Sequence, residues 1–306
     1  MTGNTTIVGL AMRLAPVALA FTAGAAARRL GWVGPAHGER LLAWVVRYGM
    51  PALILGTVTP LALTPGIARL PLAAGLTILA MWGLAAAAGR PLALPPARRG
   101  VQVVGSMIMN LAVVYPFAFA AWGPAGAGHL AFFDFGNGVL VLTLVYAIAA
   151  WYGRGEAGLG PVLRALGRFP PFWAMAVALA LNLSGVPVPE PLLRGLQWGG
   201  AAAVFLVLVA MGIFFRAPRH PSAALLLTLI LRAGGGLALG WLWARLFGLT
   251  GLERAVVVLG AAAPVGFNTL VFASIEGLDR ELAAALVSLS VLAGMLFLPL
   301  VIAFVI

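Results

Sequence analysis

Residues 260–268 read Gly260-Ala261-Ala262-Ala263-Pro264-Val265-Gly266-Phe267-Asn268, and residues 106–116 read Ser106-Met107-Ile108-Met109-Asn110-Leu111-Ala112-Val113-Val114-Tyr115-Pro116. Both stretches lie inside long apolar runs, and each combines a proline with an asparagine. A proline within a helix removes one backbone hydrogen bond and crowds the carbonyl four residues earlier. In hydrocarbon, the freed groups survive only where protein or water satisfies them. The pattern therefore predicts a membrane helix interrupted near its middle, twice. Each interruption exposes a helix N-terminus, with partial positive charge and free N–H groups. Two of them at matching depth make a site for an anion. A kink with an asparagine gluing neighbouring helices explains either stretch alone; their correspondence favours a site.

Outward from these stretches the chain divides into ten apolar runs: Ile7–Ala27, Arg40–Leu61, Leu70–Gly89, Gly100–Trp122, Gly126–Tyr152, Phe169–Val186, Leu192–Phe215, Ser222–Phe247, Arg254–Ile275 and Glu281–Ile306. A crossing helix needs about 20 mostly apolar residues for roughly 30 Å of hydrocarbon. The two interrupted stretches fall in runs 4 and 9, the fourth of each five. Sliding one half by 152 residues superposes Leu130 on Leu282, and Asn110–Pro116 on Ala262–Asn268. With five spans each, the halves enter from opposite sides. The fold class expected is thus an all-α integral membrane protein with ten transmembrane helices as two inverted five-helix repeats. Residues 1–153 form the first repeat, 154–168 a cytoplasmic connecting loop, and 169–306 the second repeat. The alternation of barrel strands is missing.

Composition supports the bilayer. The 306 residues are 62% hydrophobic and 9% charged, against about 25% charged in average domains, and mean hydropathy is +1.06. A soluble or disordered chain is excluded. Without Cys there is no disulfide, thiolate metal site or cysteine nucleophile. All 19 basic residues are Arg: 12 lie in loops after odd-numbered spans, 4 in loops after even-numbered ones, and Arg13, Arg47 and Arg232 within spans. The excess makes the odd loops cytoplasmic and places both termini on the non-cytoplasmic side of the cell (inner) membrane. The net charge of +11 is then topological, since no contiguous basic face tracks a phosphate backbone. Small residues at Thr22–Ala27 imitate a signal-peptide cleavage site, but no basic residue precedes the run and Arg13 interrupts it. A retained first span is expected.

Asn110 and Asn268 can each donate two hydrogen bonds to an anion. Tyr115 and Thr269 could add hydroxyls, and Pro116 and Pro264 open the helices; these six are the candidate substrate-binding residues. Ser106 serves its own helix backbone equally well. Asp134 is the only acid well inside a span and thereby a functional candidate, as carrier of a coupling proton or as a structural anchor with Asn137. Arg232, just before Gly234-Gly235-Gly236, is placed to attract an anion, whereas Arg13 and Arg47 snorkel to the interface. His37, His129 and His220 fall in loops and the acids are unpaired, so no metal or other cofactor is expected. Nor is an intramembrane enzyme, which needs a zinc helix, paired aspartates or a Ser–His dyad.

The stretch Ala261-Ala262-Ala263-Pro264-Val265-Gly266-Phe267-Asn268, the later Asp279-Arg280-Glu281-Leu282-Ala283-Ala284, and the terminal Leu298-Pro299-Leu300 resemble motifs of the auxin efflux carrier family, in its prokaryotic organic-acid branch. Met50-Pro51-Ala52-Leu53-Ile54-Leu55 and Phe133-Asp134-Phe135-Gly136-Asn137 are similar to two further motifs of that family. The resemblance implies that broken helices 4 and 9 cross where they unwind, as in the fold of the bile-acid/sodium symporters. It also implies movement of carboxylate-bearing metabolites by an elevator-like motion. The expectation is a secondary transporter for small organic anions, working by alternating access as a uniporter or with protons. A sodium-coupled symporter of the bile-acid type is the alternative, disfavoured because span 9 holds no acid. The partners expected are the anion and the lipid bilayer, with no nucleic acid; a homodimer is left open.

Overall fold

The computed structural model describes residues 7–154, 167–215 and 222–305. The expected connecting loop at 154–168 therefore lies outside the described residues from 155 to 166, as do both extreme termini. Among the described residues the regular structure is helical, with one isolated antiparallel β-bridge between Met109 and Val265.

The helices are α1 (Ile7–Arg29), α2 (Pro35–Val58), α3 (Pro65–Ala88), α4 (Pro96–Met107), α5 (Leu111–Tyr152), α6 (Pro170–Ser184), α7 (Glu190–Phe214), α8 (Ala223–Leu246), α9 (Gly251–Ala261), α10 (Asn268–Glu276) and α11 (Arg280–Val305). Six of them, α2, α3, α5, α7, α8 and α11, are long and apolar enough to cross a membrane. That makes the chain a multi-pass membrane protein by length and composition. Helix starts follow local chemistry. Thr64 and Ser222 accept hydrogen bonds from Ile67 and Leu225 at the first turns of α3 and α8, and proline occupies the first turn of α2, α3, α4, α6 and α7.

Two expected spans are split. Run 4 is α4 followed by the first limb of α5, and run 9 is α9 followed by α10. The first break falls at residues 108–110, ahead of Pro116, which lies buried inside α5. The second break, residues 262–267, contains Pro264 itself. Run 6 is a 15-residue helix, α6, about 22 Å long.

Helix α5 covers 42 residues, about 63 Å if straight. Gly123 divides it, with φ 62° and ψ −152°, before Pro124. A Cβ on Gly126 would stand 2.7 Å from the Ala118 carbonyl oxygen, whereas eight residues of straight helix span about 12 Å. The chain therefore folds back at Gly123, where glycine alone takes a positive φ without strain.

The helices pack in two groups. One comprises α1, α2, α6 and α7; the other comprises α3, α4, α5 and α8–α11, and the two groups meet chiefly through α5 and α11. Within the first group glycines allow backbone to touch backbone: a Cβ on Gly24 would strike the Val209 carbonyl, and one on Gly212 the Phe21 carbonyl. The carboxamide of Asn182, near the end of α6, donates to the carbonyls of Val58, Thr59 and Leu61 at 3.1, 2.8 and 2.7 Å. Helices α2 and α6 consequently end side by side.

Candidate functional site

The two breaks meet. The Asn110 amide donates to the Pro264 carbonyl at 2.8 Å, and the Gly266 amide to the Ile108 carbonyl at 3.0 Å, which makes the Met109–Val265 bridge. Backbone groups freed by each interruption are thus satisfied in part by the other. The Asn110 side chain adds a bond from Nδ2 to the Val265 carbonyl at 3.3 Å, and the Ser290 hydroxyl of α11 accepts from the Val265 amide at 3.1 Å. Gly266 is required here, because a Cβ would collide with the Ile108 side chain.

The breaks leave helix ends of both polarities. On the C-terminal side, Arg232 extends between α4 and α9. Its guanidinium donates to the Ser106 carbonyl at 2.7 Å and to the Ala261 carbonyl. The side chain is 1% exposed. A cation placed against two helix C-termini offsets their partial negative charge and satisfies carbonyls that have no helical partner. The π-turn Leu231–Gly235 carries the arginine, and α8 approaches α9 so closely that a Cβ on Gly236 would meet the Ala261 carbonyl.

On the N-terminal side, α5 starts at Leu111 and α10 at Asn268. Among the described residues, the backbone N–H groups of Ala112, Phe267 and Asn268 have no backbone acceptor. All three residues line a cavity of about 460 Å³, together with Asn110, Tyr115, Asp134, Asn137 and Gly266. The cavity lies between the two helix groups. It extends along α2 to exposed Ala43, Val46 and Glu39 and past Phe169 and Pro171 at the start of α6, so it opens on the side where α2 and α6 begin. The rest of its wall is mainly apolar, and among the described residues no arginine belongs to it.

The sequence-derived site residues therefore separate into two sets. Asn110, Asn268, Tyr115, Asp134 and Asn137 are brought together on the cavity wall. The Asn268 carboxamide is half-buried and has no hydrogen bond among the described residues. The carboxamide of Asn137 donates from Nδ2 to Asp134 Oδ1 at 3.1 Å and more weakly to the Met109 carbonyl at 3.5 Å, which links the acid to the bridge. The Tyr115 hydroxyl lies within electrostatic reach of Asp134, without hydrogen-bond geometry.

Pro116, Pro264, Thr269 and Arg232 stand outside that wall. Pro264 packs against Gly294 of α11, and the Thr269 methyl faces Gly105 of α4. One residue beyond Asn268 on a helix, Thr269 is turned about 100° from it. Arg232 is on the far side of the bridge, held by two carbonyls. Sequence reasoning missed Glu39, at the mouth. Its only signal was an acid beside the start of span 2, which reads as ordinary interfacial polarity.

The histidines do other work. His37 Nδ1 accepts from the Gly34 amide at the start of α2, His129 bonds the Ala125 carbonyl of its own helix, and His220 lies outside the described residues. Among the described residues no cluster of acids and histidines could hold a metal.

No protein-family model matches the chain. The chain is similar to an uncharacterized transporter of Methanothermobacter thermautotrophicus, 25% identical over 283 residues that cover 89% of this chain and 90% of that one. It is also similar to an uncharacterized transporter of Methanocaldococcus jannaschii, 23% identical over 275 residues covering 86% and 88%. The likeness extends along nearly the whole length in each case.

Proposed function

We propose that this protein is a secondary transporter of small organic anions, carboxylates above all, working by alternating access across the cell membrane. The observation that carries this reading is the joint between the two broken helices. It presents the Asn110 and Asn268 carboxamides and the unbonded amides of Ala112, Phe267 and Asn268 to one side of the cavity. Uncompensated helix N-termini attract negative charge. A volume of about 460 Å³ falls in the range of small-molecule sites. The names of the two archaeal relatives support transport in general.

In this reading ten helices cross the membrane, as two inverted repeats of residues 1–153 and 169–306, and belong to the organic-acid branch of the auxin efflux carriers. The arginine excess puts the cavity mouth on the cytoplasmic side, so the conformation is inward-open. Helices α1, α2, α6 and α7 act as the frame against which the broken-helix group moves in an elevator-like stroke. Asp134, on the cavity wall and bonded to Asn137, favours proton coupling over sodium.

The test is a thermal-shift screen of the purified protein against mono- and dicarboxylates, followed by uptake of the stabilising compound into proteoliposomes. Saturable uptake that survives replacement of sodium by choline is expected. Strict sodium dependence would favour the symporter alternative, and uptake of cations in place of anions would overturn the reading.

A further inference from the structure

A second depression, of about 440 Å³, lies between α2 and α6 and shares no lining residue with the cavity. On α2 the cavity takes Leu42, Val46, Met50 and Ile54, and the groove takes Arg47, Pro51 and Leu55. The groove set repeats every four residues and so forms one stripe of the helix, which Ala43 on the cavity wall continues toward the mouth. The first turns of α6 divide in the same way: Phe169, Pro171 and Phe172 face the cavity, while Arg168, Pro170 and Trp173 face the groove.

The groove has a charged end and an apolar end. Arg47 and Arg168 are both exposed at the first. Helices α2 and α6 run in the same direction, since their C-terminal ends meet at Asn182. Pro51 and Leu55 therefore descend on one wall as Ala174 and Val177 descend on the other. Arg47 to Leu55 spans about 12 Å of helix. Among the described residues no carboxylate lines the groove, and neither arginine has an acidic partner. Arg47 rests over the Tyr48 ring, 5.5 Å from its centroid. The Trp173 indole donates to the Gly167 carbonyl at 2.9 Å, which fixes the rim.

Depth identifies the occupant. Arg47 is the thirteenth residue of α2, about 18 Å along it, where an unpaired guanidinium facing hydrocarbon is costly. The long side chain instead snorkels toward the start of α6, where Arg168 and the exposed aromatics Trp44, Tyr48 and Trp173 gather as side chains do near headgroups. Two guanidiniums at headgroup level above an apolar slot match a phosphodiester above an acyl chain.

We propose that this groove binds one anionic phospholipid, with its phosphate between Arg47 and Arg168 and an acyl chain along Leu55 and Val177. A soluble anion would use the arginines and leave the slot exposed to hydrocarbon. Because the first turn of α6 also walls the cavity mouth, the bound lipid braces that mouth. Lipid binding itself does not depend on the cargo or on transport.

Native mass spectrometry of the purified protein, titrated with phosphatidylglycerol or phosphatidylcholine, tests this. The wild type is expected to retain one phosphatidylglycerol in preference to phosphatidylcholine. Arg47→Gln/Arg168→Gln is expected to weaken phosphatidylglycerol roughly 30-fold, from about 5-fold per arginine near a membrane surface, and to leave phosphatidylcholine unchanged. Arg168→Gln alone, at an exposed helix start, should give the single step of roughly 5-fold even if the double variant does not fold. Val177→Trp should remove the adduct with both charges in place. Equal phosphatidylglycerol binding by wild type and the arginine variants overturns the proposal. So does displacement of the lipid by glycerol 3-phosphate at equal concentration, which would mark a site for soluble phosphate.

Discussion

The amide of Asn110 donates to the carbonyl of Pro264 across 154 positions of sequence, over 2.8 Å. This bond, with its counterpart from Gly266 to Ile108, joins the two interrupted helices through main chain alone. It also makes the two asparagines unequal. The Asn110 carboxamide is partly committed to the joint through Val265, whereas the Asn268 carboxamide faces the cavity.

The two asparagine variants should accordingly behave differently. Asn268→Ala is expected to reduce transport at least tenfold while leaving the unfolding temperature at the wild-type value. Asn110→Ala should lose transport and about 1 kcal/mol of stability as well, the usual worth of one hydrogen bond. Proteoliposome uptake measured beside thermal unfolding separates the two effects. Wild-type uptake in both variants would remove the asparagines from the site.

Arg232 ties Ser106 to Ala261. Arg232→Met would leave two buried carbonyls short of a donor, at about 1–3 kcal/mol each, so a clear fall in unfolding temperature is expected. Arg232→Lys keeps the charge with a single-point donor and should recover part of the loss. A methionine variant as stable as wild type would show that the helix ends need no strut.

Asp134 differs from its amide analogue in carrying a titratable proton. Asp134→Asn can still accept a hydrogen bond from Asn137. Uptake driven by an imposed pH gradient is expected to vanish, while exchange of cargo across the membrane at equal pH persists. Gradient-driven uptake at the wild-type rate would leave Asp134 as an anchor only.

Close helix approach can be tested by adding carbon. Gly236→Val would drive a side chain into the Ala261 carbonyl and is expected to abolish folded, monodisperse protein. Gly83→Ala is the control: nothing lies within 4 Å of its Cβ. It should be neutral, or stabilising by up to about 1 kcal/mol from helix propensity. Size-exclusion profiles and unfolding temperatures of the pair decide the matter.

Hydropathy located the long helices closely, because leaving water is a property of whole segments. Helix α3 begins at Thr64–Pro65, five residues before its apolar run suggested, since a capping threonine and a proline start a helix ahead of the hydrocarbon. What hydropathy lacks is direction. It could not tell that Thr269 turns toward α4 while Asn268 turns toward the cavity, nor that Arg232 faces helix C-termini. The proline signal was partly displaced as well. Pro116 lies in the sixth position of α5, inside the helix, and the chain opens earlier at Ile108, whose backbone is extended (φ −79°, ψ 121°). An asparagine in an apolar segment was the more local marker, since its polar groups must find partners nearby.

The bridge between Met109 and Val265 uses only amides and carbonyls, and peptide groups are the same whichever side chains they carry. The joint therefore places little demand on the identity of residues 109 and 265. Met109 borders the cavity, so its bulk can change without unfastening the helices. Descendants of this scaffold could be retuned to longer or shorter cargo by exchanging that one side chain, with the framework inherited intact.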